Sequence, residues 1–477
     1  MDLKQYANFI KEMQNTLAFT PTQGQQLLIK RLASFALNTT RGQVFILSGY
    51  AGTGKTAMVS ALVKCSPVIH QRTILLAPTG RAAKILANYS SQQAFTIHKY
   101  IYFAGSTPEG NIKLSRAINK NKNTLFIIDE ASMIPGYTAQ SSKNTLTGMN
   151  ILDDIMEFVF SGENCKLLLL GDSAQLPPIG FSISPALDAA HLRARYPYYF
   201  HFHELTEVVR QEQESGILAH ATEVRKRINT ENFNLPLFDG HRFPDFIPIN
   251  GYDLQDALES AYSSSDNEDA VIITRSNKRA NLFNQEIRKR ILFREGEINA
   301  GDRLMVVKNN YFWLPKEAKT PFIANGDTLE VLRVKSIEPH YGFRFADVDI
   351  HFPDYPDEQQ MEVKILIDTL TTEAPSLTRE QTLRLWNAVL EDYSDISSAK
   401  EKMQLARNNP WFNALQVKFA YAITCHKTQG GQWDTVFIDP GYRKEPPDKE
   451  WFRWLYTAIT RGIKKAAMVN FRDEFWK

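Results

Sequence analysis

The segment Gly49-Tyr50-Ala51-Gly52-Thr53-Gly54-Lys55-Thr56 has the residue types and spacing of a phosphate-binding loop. It follows the apolar run Val44-Phe45-Ile46-Leu47 and opens onto helix-forming residues. Its glycines, Gly49, Gly52 and Gly54, let backbone N–H groups approach phosphates closely around Thr53. The following helix turns its positive end toward the same charge. Lys55 is placed to reach the β/γ-phosphates, and Thr56 to give a hydroxyl to Mg²⁺. A second apolar run, Leu125-Phe126-Ile127-Ile128, ends in Asp129-Glu130. Alone, such a pair is often just a strand ending at solvent. Near the C-terminus stands Tyr456-Thr457-Ala458-Ile459-Thr460-Arg461-Gly462. In this order, the three segments point to nucleotide hydrolysis coupled to movement on a nucleic acid.

The elements that must position these residues alternate. Gln43–Leu47, Thr73–Ala77, Leu125–Ile128 and Lys166–Leu170 are short, nearly all apolar, and followed by Gly, Pro or acids. That is the pattern of a parallel sheet covered on both faces, whose ligands bind at the C-terminal strand ends. A second α/β set is split: Ala270–Thr274 leads into a helix at Lys278–Leu292, and strands resume at Val417–Thr424, Thr435–Ile438 and Ala466–Asn470. Between them Arg303–Val307, Thr328–Val334, Phe343–Ile350 and Met361–Ile367 read as a small antiparallel barrel. A helix over Thr378–Tyr393 follows, with Leu383, Trp386 and Leu390 on one face.

Length implies at least two domains, since the chain has 477 residues. Its 43% apolar and 23% charged content is that of a soluble globular protein. A formal charge of +2 neither supports nor opposes a nucleic-acid partner, because a local basic groove suffices. Cys65, Cys165 and Cys425 have neither metal spacing nor a disulfide framework, which fits a reducing, cytoplasmic compartment. The N-terminus reads as an amphipathic helix, not a signal peptide, and no run approaches a membrane span.

Several further segments carry two readings. Phe19-Thr20-Pro21-Thr22-Gln23 fits a capping box, with Thr20 as N-cap and Gln23 at N3; upstream of a phosphate loop, Gln23 also suits an adenine edge. Pro78-Thr79 is either a strand-to-helix turn or a contact to a nucleic-acid phosphate, and His98 in Thr96-Ile97-His98 is similar. Gln175, in Gly171-Asp172-Ser173-Ala174-Gln175, suits sensing of the γ-phosphate or the attacking water. Arg210 and Arg461 are surface charges or stabilisers of a transferring phosphoryl group. His191, His201 and His203 lack the acid or thiol partners of a convincing metal set.

The ordered segments APTGRAAK (77–84), TIH (96–98), DEASM (129–133), GDSAQLPP (171–178), LTEVVRQ (205–211), KNNY (308–311), NGD (325–327), YAITCHKTQG (421–430) and LYTAITRG (455–462) resemble superfamily 1 DNA helicases. Within them, the resemblance is to the RecD-like and Dda-like branch, and it spans Phe19 to Gly462. It implies an α/β fold of two RecA-like P-loop domains with ATP between them and single-stranded DNA across both. A β-hairpin pin interrupts the first domain and an SH3-like barrel the second. The expected division is 1–204 for the first domain, with the pin at 99–120. Residues 205–300 and 416–477 form the second domain, and 301–415 the inserted barrel with its helical extension.

By that resemblance Gln23 recognises adenine, Lys55 and Thr56 hold phosphates and Mg²⁺, and Asp129 is the second Mg²⁺ anchor. Glu130 positions or deprotonates water, while Gln175, Arg210 and Arg461 contact the γ-phosphate. Pro78, Thr79, His98, Thr424, His426 and Lys427 lie along the DNA. Tyr102 and Phe103, on the expected first arm Tyr100–Phe103 of the pin, stack at the duplex junction, and movement is 5′-to-3′. The alternatives are a 3′-to-5′ motor of the UvrD type and an ATP-hydrolysing switch that does not unwind. Thr96 to Leu125 is too short for the helical insertion of the UvrD type. Two features depart from the family pattern: the polar stretch 134–150 and Trp433 after Gln429-Gly430-Gly431-Gln432.

Overall fold

The computed structural model describes residues 2–106, 112–136, 150–207, 215–263, 269–314, 322–354 and 360–477. Strands β1 (Gln43–Gly49), β2 (Arg72–Ala77) and β3 (Ala94–Thr96) lead into a hairpin, β4 (Tyr102–Ser106) and β5 (Ile112–Arg116). Then come β6 (Thr124–Ile128), β7 (Lys166–Gly171) and β8 (Tyr199–Leu205). All but the hairpin form one parallel sheet in the order β3-β2-β6-β7-β1-β8. In β1, Phe45 and Leu47 face a core with Leu28, Leu32 and Met58, while Val44 and Ile46 face another with Ile155 and Phe158. Burial on both faces is why these strands are unbroken apolar runs. Each such Leu or Ile contributes about 1.5–3 kcal/mol. The N-terminal helix Leu3–Asn15 seats Phe9 and Met13 in the first of these cores.

The second half begins with β9 (Phe246–Ile249) and β10 (Ala270–Thr274). A closed barrel follows: β11 (Arg303–Val306), β12 (Thr328–His340), β13 (Phe343–His351), β14 (Met361–Leu366) and β15 (Leu415–Phe419). Then β16 (Ala422–Thr424), β17 (Trp433–Ile438) and β18 (Gly462–Val469) join the earlier pair in a parallel sheet, β16-β10-β17-β18-β9. Two α/β domains with a hairpin in the first and a barrel in the second match the expected fold class. No helix among the described residues is long and apolar enough to cross a membrane.

Local details differ from expectation. The run Val417–Thr424 is two strands: Phe419 pairs with Leu304 in the barrel, and Ala422 pairs with Ile272 in the second sheet. Between them the Tyr421 hydroxyl accepts the Arg303 N–H (3.1 Å) and donates to Asp302 (3.2 Å), fixing the turn. A run that is apolar but for Lys418 and the closing Thr424 shows no such break, so the barrel closes beyond the expected limit at 415. β8 likewise ends at Leu205, one residue past 204, and β9 had no clear pattern of its own. The helix Arg379–Glu391 turns Leu385 and Val389 inward, with Trp386 and Leu390 beside them, and leaves Leu383 52% exposed. Tyr100 and Ile101 lie in the short helix Ile97–Ile101, so the first hairpin arm starts at Tyr102.

Candidate functional site

The phosphate-type loop leaves β1 at Gly49 and enters the helix Lys55–Cys65. Gly54 has φ of +81°, and a Cβ there would stand 2.6 Å from the Gln25 amide nitrogen, so only glycine fits. That amide donates to the Thr53 carbonyl (3.0 Å), and the buried Thr53 hydroxyl donates to the Tyr50 carbonyl (2.8 Å). Thr53 therefore shapes the loop from inside. Gly49 sits against Lys55, Thr53 and Leu205 at 3.0–3.1 Å from a would-be Cβ, a close approach of the strand end. The Lys55 ammonium donates to the carbonyls of Gly49 and Tyr50.

Across from this loop, β6 delivers Asp129 and Glu130. Asp129 accepts the Glu130 N–H (2.8 Å), and Glu130 holds φ of +52°, a left-handed conformation costly for a non-glycine residue. Burial, then the Glu130 charge, pushes the Asp129 carboxyl up; Lys55 and Arg461 oppose this. From the second domain Arg461, 4% exposed, stands 3.8 Å from Glu130 and donates to the carbonyls of Thr457 (3.2 Å) and Gly431 (3.1 Å). Gln175 is buried, and among the described residues its Oε1 has no hydrogen-bond partner. Gly52, Lys55, Glu130, Gln175 and Arg461 line one interdomain cavity of about 510 Å³.

Two expected members of this site stand elsewhere. Gln23 opens the helix Gln23–Leu37 and is exposed, outside the cavity lining. The capping box uses Thr22 and Gln25 in place of Thr20 and Gln23, because the helix starts two residues later than the pattern suggested. Arg210 lies outside the described residues.

The second group of candidates gathers at C-terminal strand ends. Thr79, after Pro78 and β2, caps the helix Gly80–Ser90, and Thr96 ends β3 and caps Ile97–Ile101. Thr424 ends β16 and begins the helix Cys425–Thr428, with its hydroxyl in no capping bond. His426 and Lys427 on that helix are half-buried, and burial lowers the pKa of both. His98 lies 5.7 Å from the Tyr102 ring and 6.4 Å from Phe322 of the barrel region. Burial lowers its pKa to about 4, so its imidazole is neutral at pH 7.

Tyr102 requires a correction. It is 3% exposed, and its hydroxyl donates to Asp154 (2.6 Å), which also pairs with Arg116 of β5 (3.2 Å). A ring so enclosed has no face for a base; it fastens the hairpin to the domain. Phe103, one residue on and 49% exposed, points the other way, as strand alternation requires.

Contacts that the sequence did not reveal hold the two halves together. Arg81 lies 4.0 Å over the Trp433 ring and bonds Asp269 and the Gln432 carbonyl, so the unusual Trp433 serves the domain interface. Lys99 pairs with Asp327 of the barrel at 3.3 Å, both buried. Tyr50, Ala174 and Leu176 of the first domain pack into a core of the second. The His201 ring bonds Gln43 (2.7 Å) and packs on Phe35 and Phe45.

Comparison with known proteins agrees with this arrangement. An AAA domain model matches residues 22–235, and a UvrD-like helicase C-terminal domain model matches 419–469. The ATP-dependent DNA helicase dda of Enterobacteria phage T4 is 24% identical over 443 residues, covering 87% of this chain and 92% of that protein. The ATP-dependent RecD2 DNA helicase of Deinococcus radiodurans is 26% identical over 201 residues, 42% of this chain and 24% of its own length. The chain is a superfamily 1B helicase of the RecD/Dda type. This helicase is an ATP-dependent enzyme acting on DNA, and thus a hydrolase. Among solved structures it is similar to the Pif1 helicase from Bacteroides in complex with ADP-AlF3 and ssDNA, with TM-score 0.48 and 17% identity, covering 95% of this chain and 93% of that one.

Proposed function

We propose that this helicase moves 5′-to-3′ on single-stranded DNA and parts the duplex ahead of it on the hairpin at 99–120. The observation that carries this is the β4–β5 hairpin itself, a single antiparallel pair between β3 and β6, fastened through Asp154 to the body of the first domain. It occupies the stretch of chain between Thr96 and Leu125 where an insertion of the UvrD type would place a helical domain. The single strand crosses Thr79, His98 and Thr424 at the strand ends of both sheets, with Pro78, His426 and Lys427 beside them.

ATP binds with its phosphates on Gly52 to Thr56; Gln23, exposed and outside the cavity lining, is tied to the adenine by the family resemblance alone. The donor set fits Mg²⁺: the Thr56 hydroxyl and the buried Asp129 carboxylate are hard oxygens, and a cation offsets the charge that burial makes costly. When bound, that ion neutralises phosphate charge and orients the triphosphate. Glu130 accepts the proton of the attacking water, and the Gln175 amide, whose carbonyl oxygen has no partner among the described residues, orients that water. As the water oxygen bonds to the γ-phosphorus, the bond to the ADP oxygen breaks. Lys55 and Arg461, with Arg210 of the LTEVVRQ segment (205–211), offset the growing charge. Since Arg461 comes from the second domain, closure of the domains is coupled to turnover.

Strand displacement on duplexes with a 5′ or a 3′ single-stranded tail tests the direction. Unwinding of 5′-tailed substrates is expected; unwinding of 3′-tailed substrates alone would refute the polarity, and hydrolysis without unwinding would favour a switch. Phe103→Ala is expected to lower unwinding more than DNA-stimulated hydrolysis, because a stacked aromatic is worth about 1–3 kcal/mol per base. Tyr102→Ala should instead lower the melting temperature, by the loss of about 3–5 kcal/mol typical of a buried aromatic. Equal effects of Phe103→Ala on both activities would remove the hairpin from strand separation.

A further inference from the structure

We infer that Tyr456 is a positioning residue: its hydroxyl joins the phosphate loop and the Asp172–Gln175 turn to the second domain, and so sets the place of Gln175 relative to the loop. This rests on the reading of Gln175 and Arg461 as groups of the hydrolytic site. Tyr456 is 1% exposed, on the helix Lys449–Ile459 that leads to Arg461. Its oxygen accepts the Ala51 N–H (2.9 Å) and donates its proton to Asp172 Oδ2 (2.6 Å). The other Asp172 oxygen accepts the Ala174 N–H (2.9 Å), and the Asp172 carbonyl accepts the Gln175 N–H (3.3 Å). One hydroxyl of the second domain thus touches the phosphate loop and the turn that carries Gln175.

The next residues reinforce the same grip. Thr457 Oγ1 accepts the Leu176 N–H (2.9 Å), and the Gln429 amide donates to the Leu176 carbonyl (2.6 Å). The Thr457 carbonyl in turn accepts from Arg461 Nε (3.2 Å). Gln175 and Arg461, from different domains, are therefore registered through one helical turn. Packing alone does not explain Tyr at 456: phenylalanine would fill the same core, and a buried hydroxyl is costly unless paired. Here it is paired on both sides. Burial and the Asp172 charge hold the Tyr456 pKa well above its usual value, so the hydroxyl remains a proton donor at any working pH. Placement errors of about 1 Å cost on the order of 10²-fold in rate, which is why such a register matters to turnover.

Tyr456→Phe keeps the ring and leaves the Ala51 N–H and Asp172 Oδ2 without this partner. ATP hydrolysis is measured with and without a dT oligonucleotide, together with KM for ATP and the melting temperature. The expected result is a fall in kcat of about tenfold, the scale of one hydrogen bond to a charged group, with KM within about twofold. Asp172→Asn supplies the second arm: losses from the two changes should not add if both act through this bond. A kcat within twofold of wild type, a rise in KM matching the fall in kcat, or additive losses would each overturn the positioning role. Gln175→Ala separates the two readings. If it keeps full kcat, the reading of the hydrolytic site fails; if it is impaired while Tyr456→Phe is fully active, only the role of Tyr456 fails.

Discussion

Arg461→Ala is expected to lower kcat for ATP hydrolysis by about 10³–10⁵, with KM for ATP changed only a few-fold. Arg461 is 4% exposed, and its guanidinium reaches the cleft from the second domain, 3.8 Å from Glu130. Its bonds to the Thr457 and Gly431 carbonyls fix its place before charge develops, so reorganisation costs little at the moment of reaction. Charge on the transferring phosphoryl group grows toward the transition state, and an interaction made with that charge acts on kcat. Steady-state kinetics decides the matter. An unchanged kcat with weakened ATP affinity would make Arg461 a ground-state ligand.

Glu130→Gln should bind ATP and DNA yet turn over about 10²–10⁴ times more slowly. The carboxamide preserves size but cannot take the proton of the attacking water. It also removes the charge that opposes ionisation of Asp129, so binding of Mg²⁺ and ATP is expected to hold or tighten. Single-turnover hydrolysis beside equilibrium ATP binding separates these effects. Loss of binding in step with rate would show that Glu130 supports the nucleotide and does not act on water.

Much of the arrangement was legible in local sequence. Glycine spacing in the phosphate loop, apolar runs ending in acids, and the order of the segments encode short-range geometry, and short-range geometry is what a linear pattern records. The β6 pattern placed Asp129 and Glu130 at a strand end, and the short Thr96–Leu125 gap left room for a hairpin. One helix start differs: Thr20 and Gln23 have capping-box spacing, yet Thr22 and Gln25 form the box, and Gln25 also bonds the loop carbonyl of Thr53.

What the sequence by itself determined, then, is the set of reactive residues and the strands that carry them. Tertiary structure alone decided who faces whom. Tyr102 and Phe103 are both aromatic and adjacent, yet only the position of Asp154 buries the first and leaves the second in solvent. Trp433 departs from the family pattern, and only the packed structure sets Arg81 of the other domain over its ring. The barrel closes at Phe419 because Leu304, far back in the chain, supplies its partner. Tyr456 meets Asp172 across 284 residues of chain. Such contacts join segments whose separation carries no periodic signal, and their energies come from desolvated pairs that exist only once both domains have packed.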